Sequence, residues 1–425
     1  MHPNIEQLAA YLDRALDEAA QTATRAHILT CPACATRLER LRADERRIAT
    51  IAAGPAPDLR AAVRVRLRRP GPANLLLRGA TLASALAALF LFALLIGVSS
   101  GTVGRRPDRL FVVDQGAGQL IELDAASGKT LRIGDVGDQA SKVRYDQRLD
   151  RLYVLLPQGA VAVDPRTLAV VGRWSAEPSF GAAAGMALDE ARGRLYISWP
   201  DAGVISALDA ATLVPIQLAP DRRTTFSAGP APGALLLAPD GKRLFTADSE
   251  DGQIWTIDLS DDQVTASGRL LDRADVRSQR WLALSSDGET LYVLRAGGSP
   301  SLRRVDLRSG QASEPVLLDN GPQPWDLLLA DPGHLAIPRG DGKVGGVTIV
   351  STDNFSVVAR LDPDHDQHHL AAGPGGSFFG LNWLHGTVTH YDPARARAVV
   401  WLVTPLDRGR LWDGVYVGGG WPWPW

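Results

Sequence analysis

Between residues 105 and 417 the chain repeats itself about every 45 residues, and a repeat of that length restricts the fold to a few arrays. Each copy is anchored by an apolar strand that starts near Leu110, Leu152, Leu195, Leu244, Leu291, Leu335 or Phe378. Around those anchors stand RLFVVD, RLYVLL, RLYISW, RLFTAD, TLYVLR, HLAIPR and SFFGLN. A second strand follows and ends at Asp124, Asp164, Asp209, Asp258, Asp306, Ser351 or Asp392. A carboxylate there can bond its own backbone and pin the reversal into a third strand, as in ASGKTLRI. Ahead of each anchor, from the second copy on, lies another strand with a turn signal: LLLAPDGKR, LALSSDGET, LLLADPGH, LAAGPGGS.

Four short strands per repeat make a β-propeller blade, and seven copies make an all-β, seven-bladed ring. The first copy lacks its leading strand. Trp412-Asp413-Gly414-Val415-Tyr416-Val417 fits that place, because it matches Trp325-Asp326-Leu327-Leu328-Leu329 ahead of the sixth anchor. The C-terminus is therefore expected to complete blade one and close the ring without exposed edges. The pattern resembles bacterial YVTN-type and WD40-like propellers across the whole of 105–417.

The second constraint is the stretch 79–99, which begins GATLASALAALFLFALLIGV and carries no charge and no proline. About 20 helical residues at about 1.5 Å each span a hydrocarbon core, so it reads as one transmembrane helix. More than seventy residues precede it, which argues against a cleaved signal peptide. Arg60, Arg64, Arg66, Arg68, Arg69 and Arg78 lie before it, against Arg105, Arg106 and Arg109 after it. Basic flanks resist translocation, so the N-terminus is expected in the cytoplasm and the propeller outside a bacterial cell membrane. Residues 54–78 form a Pro- and Arg-rich juxtamembrane linker. The net charge of −2 shows no bias toward nucleic acid, and none is expected as a direct partner.

Residues 1–53 read as a small α-helical head, with Ile5, Leu8, Leu12 and Leu16 at helical spacing. So few large apolar side chains make a thin core that needs a staple. The only two cysteines of the chain, Cys31 and Cys34, sit here with His27 in an H-x3-C-x2-C arrangement. His27 and Cys31 lie one helical turn apart, and Pro32 turns the chain so that Cys34 comes into reach. Two thiolates and an imidazole suit tetrahedral Zn²⁺, with His2, a water or a carboxylate as fourth donor. The head resembles the zinc-binding anti-sigma domain family, through His2, AYLDRAL at 10–16 and H-x3-C-x2-C followed by TRLERLR. That resemblance implies His2, His27, Cys31 and Cys34 as zinc ligands and a sigma factor of the extracytoplasmic-function type as partner. A generic interaction module, or a thiol switch in which both cysteines oxidise and expel zinc, fits the same residues.

In propellers the leading strands line the central channel. Their starts here carry Lys142, Gly185, Ala234, Trp281, Trp325, His368 and Trp412, with Arg280 and Asp326 adjoining. Trp281, Trp325, His368 and Trp412 could line a channel mouth for a sugar, a peptide or an apolar ligand, or they could pack between blades. The loop DPDHDQHH at 362–369 offers mixed donors for a metal but no Ca²⁺-loop pattern. The tail 418–425, ending GWPWPW, could dock on the propeller or touch a membrane interface. No catalytic constellation emerges, so an enzyme is not expected. The whole reads as a membrane-anchored anti-sigma factor with an external sensor propeller; the competing reading is a surface-tethered binding or scaffold propeller.

Overall fold

The structure is a computed structural model. It describes residues 108–418, with short interruptions at 219–222, 251, 260–263, 265, 272–279, 298, 319–320, 341–344, 362–365, 396 and 404–409, and in the head Ala20, Gln21, Thr24, His27 and Cys31. The chain divides into two units, Met1–Ile96 and Gly97–Trp425. Among the described residues no helix is long and apolar enough to cross a membrane; the segment 79–99, the linker 54–78 and the residues after 418 lie outside them.

Residues 109–417 form seven four-stranded antiparallel sheets, the seven blades expected from the repeat. The leading strands are Leu411–Val417 for blade one, then Lys142–Asp146, Gly185–Asp189, Pro232–Leu237, Arg280–Leu284, Leu328–Asp331 and His369–Ala372. They touch one another in succession and so line the middle of the ring. Blade one is completed as its missing strand required: Leu411–Val417 pairs antiparallel with Arg109–Asp114, Arg109 opposite Val417 and Leu110 opposite Tyr416.

The apolar anchors are the second strands, and their sequence follows from their position. Arg109–Asp114, Arg151–Leu156 and Arg194–Trp199 are buried at five consecutive residues, because each is covered on both faces by adjacent blades. Outer strands such as Thr130–Asp135 and Val170–Ser175 are mostly exposed. Side chains from neighbouring blades share each core: Phe111, Val113 and Leu120 pack with Leu152 and Val154, and Tyr153 and Leu155 with Leu195 and Ile197.

The turn after the third strand is the same device in five blades. The N–H of the residue four beyond the turn Asp or Ser donates to its carbonyl in Gly128→Asp124, Leu168→Asp164, Leu213→Asp209, Gly310→Asp306 and Phe355→Ser351, at 2.8–3.0 Å. The Asp carboxylates also accept local N–H and O–H bonds, from Ser127, Thr212 and Ser309 among others. In each copy the residue at the fourth position is left-handed, with φ between 57° and 73°. Where it is not glycine it is a buried plug: Leu168, Leu213 and Phe355 are at most 6 % exposed and fill the interface with the preceding blade. In blade one the plug comes from the other side, since the Trp401 ring of blade seven lies where a Cβ on Gly128 would be, 2.0 Å away.

Arginines tie most interfaces in one direction, each from one blade to a backbone carbonyl of the next. Arg132 Nη2 donates to Pro165 O at 3.3 Å, Arg151 Nη1 to Ala211 O at 2.7 Å and Arg192 Nη1 to Gly241 O at 2.8 Å. Arg243 reaches Gly288 O and Leu307 O at 3.2 and 3.3 Å, and Arg304 Nη1 reaches Asp353 O at 2.9 Å. These bonds run from blade one to blade six.

The plug geometry makes a paired prediction. Gly310 has the same left-handed backbone as Gly128 but open space around its Cβ position. Gly310→Ala is expected to cost about 1–2 kcal/mol, the backbone term alone. Gly128→Ala is expected to cost about 1–3 kcal/mol more, through overpacking against Trp401. Denaturant titration of the two variants measures the difference.

Candidate functional site

In the head, Ala20, Gln21, Thr24 and His27 are helical, and the Cys31 N–H donates to the His27 carbonyl at 2.9 Å. That is an α-helical bond, so the two side chains leave the backbone one turn apart, as a shared metal requires. The donor chemistry and this spacing fit Zn²⁺, with imidazole nitrogen and thiolate sulfur in the expected set. His2 and Cys34 lie outside the described residues. Among the described residues no group of three or more His, Cys, Asp or Glu side chains is arranged to hold a metal.

In the propeller, the structure brings Trp325, Asp326, His368 and Trp412 together where blades six, seven and one meet. Their order follows the ring. Trp325 lies 5.3 Å, centroid to centroid, from His368, which lies 5.6 Å from Trp383. Trp383 meets Trp412 edge to face at 6.0 Å, and Trp412 lies 5.0 Å from His369. The Arg410 guanidinium sits over the Trp383 ring at 5.6 Å, a cation–π contact. Trp325 precedes the regular strand of blade six. It is fixed instead by a Pro324–Arg339 bridge, by its N–H to Pro338 O at 3.1 Å and by Nε1 to Gly340 O at 2.9 Å. Trp281 is elsewhere, packed against the core between blades five and six with Leu294 and Leu335. Arg280 begins the leading strand of blade five, paired with Arg295.

Both Trp-Asp pairs use the carboxylate in the same way. Asp326 Oδ2 of blade six accepts the Leu370 N–H of blade seven at 3.1 Å. Asp413 Oδ2 of blade one accepts the Val143 N–H of blade two at 3.0 Å and the Arg144 Nη1–H at 2.9 Å. Burial alone would raise the Asp413 carboxyl, but Arg144, Lys142, the Val143 N–H and His369 together hold it below the usual range. His369 Nδ1 stands 3.6 Å from Asp326 Oδ2. These carboxylates are committed to neighbouring blades, which is an inter-blade role.

His368 is 4 % exposed. Its Nδ1 accepts the Trp383 N–H at 3.4 Å, so the proton of the neutral ring sits on Nε2, which lies 3.5 Å from Asp366 Oδ2. Burial, then His369 and His385, pull its pKa down from 6.5 to about 4. In the loop read as a metal candidate, residues 362–365 lie outside the described residues. Asp366, Gln367 and His368 are buried, with Gln367 Nε2 donating to Thr389 Oγ1 at 3.0 Å.

Sequence reasoning did not select Trp383, Arg410 or Asp413, and it marked His369 only as a donor of the 362–369 loop. Trp383 follows a second strand, outside the register of the leading strands. Asp413 had a signal, because Trp412-Asp413 repeats Trp325-Asp326. Asp413→Ala leaves a buried N–H and a cation without their acceptor. It is expected to cost about 2–4 kcal/mol, more than Asp326→Ala, where no arginine is stranded. Denaturant titration of both variants gives the ranking.

Residues 5–35 match the family described as "Putative zinc-finger". No curated protein matches the chain. Among solved structures, a Lactobacillus plantarum protein is 16 % identical with a TM-score of 0.56, over 73 % of this chain and 99 % of that one. A Bacteroides fragilis protein described as a "putative 6-phosphogluconolactonase" is 13 % identical with a TM-score of 0.56, over 73 % and 98 %. One from Bacteroides uniformis with the same description is 14 % identical at 0.54, over 73 % and 100 %. At such identities the likeness concerns the fold alone. The chain therefore joins a head whose residues 5–35 match this zinc-finger family to a seven-bladed β-propeller.

Proposed function

We propose that the chain is a membrane-anchored anti-sigma factor. In this reading the head, residues 1–53, holds zinc and sequesters an extracytoplasmic-function sigma factor in the cytoplasm. Residues 79–99 cross the membrane once, and the propeller lies outside as the domain that binds the signal, an unknown external ligand or protein. The observation that carries the reading is the zinc-finger match over 5–35, because that family is the zinc finger of anti-sigma factors. The helical turn that joins His27 to Cys31 agrees with it.

His27, Cys31 and Cys34 would hold the metal, with His2 as the fourth donor. Bound zinc supplies a structural cross-link to a head whose apolar core is too thin to stand alone. The helices so fixed present apolar side chains at helical spacing, the form in which one helix docks into another protein's groove. The excess of arginine before residue 79 supports the orientation. The reading is of a regulator and not an enzyme, since the sequence offers no nucleophile–base pair or phosphate loop.

The test is purification of the full-length chain from native membranes in mild detergent, followed by metal analysis and mass spectrometry of co-purified proteins. The wild type is expected to carry about one zinc and a sigma factor. Cys31→Ser should lose most of both, at least about tenfold in retained sigma factor. A protein without zinc and without any sigma factor, but with external partners on the propeller, would instead favour the tethered binding-protein reading.

A further inference from the structure

The histidines of the propeller are confined to one sector. Of the six, His334, His368, His369, His385 and His390 lie among the described residues of blades six and seven, and His365 falls between those blades in sequence. That sector also holds the ring's closing interface. Blades one to six are tied to backbone carbonyls by arginines, whose guanidinium groups stay charged at any ordinary pH. The junction of blades six, seven and one is instead tied through imidazoles, tryptophans and the Asp326 carboxylate.

We propose that this junction is an acid-sensitive latch, in which protonation of His368 loosens the C-terminal strand that closes the ring. The argument starts from the direction of one hydrogen bond. His368 Nδ1 accepts the main-chain N–H of Trp383 at 3.4 Å. A protonated imidazole has a hydrogen on both nitrogens and cannot accept, so two donors would face each other across that distance. Trp383 must then move. It is the platform for the closing strand, holding Arg410 over its face and Trp412 against its edge.

Other groups around His368 set the balance. Asp366, whose Oδ2 is 3.5 Å from Nε2, favours the proton. Burial opposes it most, then His369 and His385, while the Arg410 guanidinium stands over the Trp383 ring. From blade six, Trp325 presents a ring and Asp326 is turned to Leu370 and His369. Arg339, also from blade six, presents its carbonyl to the Gln367 N–H. Opposition wins: the ring is held neutral down to about pH 4 while the latch is shut.

The sign follows directly. A latch that opens returns the ring to its ordinary pKa of 6.5, so the open form binds more protons between pH 6.5 and about 4. Closure is therefore fully favoured above that window and is lost progressively as pH falls through it. Release of Leu411–Val417 would leave Arg109–Asp114 as an exposed edge and blade one with three strands. The inference concerns the propeller alone and stands whether or not the head binds a sigma factor.

Hydrogen exchange with mass spectrometry on the full-length chain tests it, at about pH 7 and about pH 4.5, corrected for intrinsic exchange rates. Protection of 411–417 and 109–114 is expected to fall at least about tenfold on acidification, while strand 243–248 of blade four keeps its protection. In His368→Gln, which cannot take a proton but can still accept from Trp383, that fall should disappear. If His368→Gln does not fold at neutral pH, His385→Gln serves, and the fall should shrink because a like charge that opposes protonation of His368 is gone. No loss of protection, a loss shared equally by blade four, or an unchanged loss in the variant that folds would overturn the proposal.

Discussion

A four-stranded blade has two apolar faces and no layer of its own to cover either, so its neighbours complete its core. Leu110, Val112, Leu152, Val154, Leu195 and Ile197 are fully buried because each second strand is sandwiched between adjacent blades. An open row of blades would leave two end faces in water, at roughly 25 cal/mol per Å² of apolar surface. Only a closed ring removes both. Closure falls to Leu411–Val417, which meets Arg109–Asp114 from the other end of the domain. Every other interface is made between blades adjacent in sequence, so this one carries the largest loop-closure entropy.

Apolar packing at the interfaces is not directional, and it leaves open how far one blade slides on the next. The polar bonds supply that restriction. An arginine reaching one particular carbonyl, as Arg151 does at Ala211, fixes both the angle and the height of blade three on blade two. Asp413 does the same from blade one to blade two, with the added demand that a buried carboxylate keep all its donors. Where blades six, seven and one meet, the fixing groups are rings whose contacts depend on protonation. The molecule thus has several interfaces insensitive to pH and one that answers to it.

Much of this ring was legible in the sequence because a repeat enforces itself seven times. The apolar anchors, the turn Asp residues and the Trp-Asp match at residue 412 sufficed for blade number and closure. What escaped was chemistry between repeats. Nothing in the sequence tells that Trp401 fills the space of Gly128, since the two are far apart in the chain and the only sign is a glycine where Leu168, Leu213 and Phe355 stand in other blades. Trp325, His368 and Trp412 were found by register, but Trp383, the ring that His368 and Trp412 share, sits one residue beyond a different strand. Asp326 had the look of a site charge; its oxygens belong to Leu327, Leu370 and His369. The head's likeness to a zinc finger was legible for a different reason, because few residue types bind zinc and their spacing is short.

The two ends of the chain solve the same physical problem by opposite means, and this shapes what each can sense. Small domains bury too small a fraction of their surface to stand unaided, whereas the burial available to about 300 residues is ample. The head accordingly concentrates both cysteines in H-x3-C-x2-C, and the propeller has none. A fold that depends on thiolate and imidazole donors is vulnerable to oxidation, chelation and acid. A fold that depends on ring closure without cysteines is indifferent to thiol oxidation, and its acid-sensitive point is the interface that closes the ring. Under the proposed layout this division suits the compartments: metal–thiolate chemistry faces the reducing cytoplasm, and the cysteine-free ring faces an exterior where redox and pH vary. A stimulus outside then has one physically distinct place to act, and it is the blade from which the chain runs back toward the membrane segment.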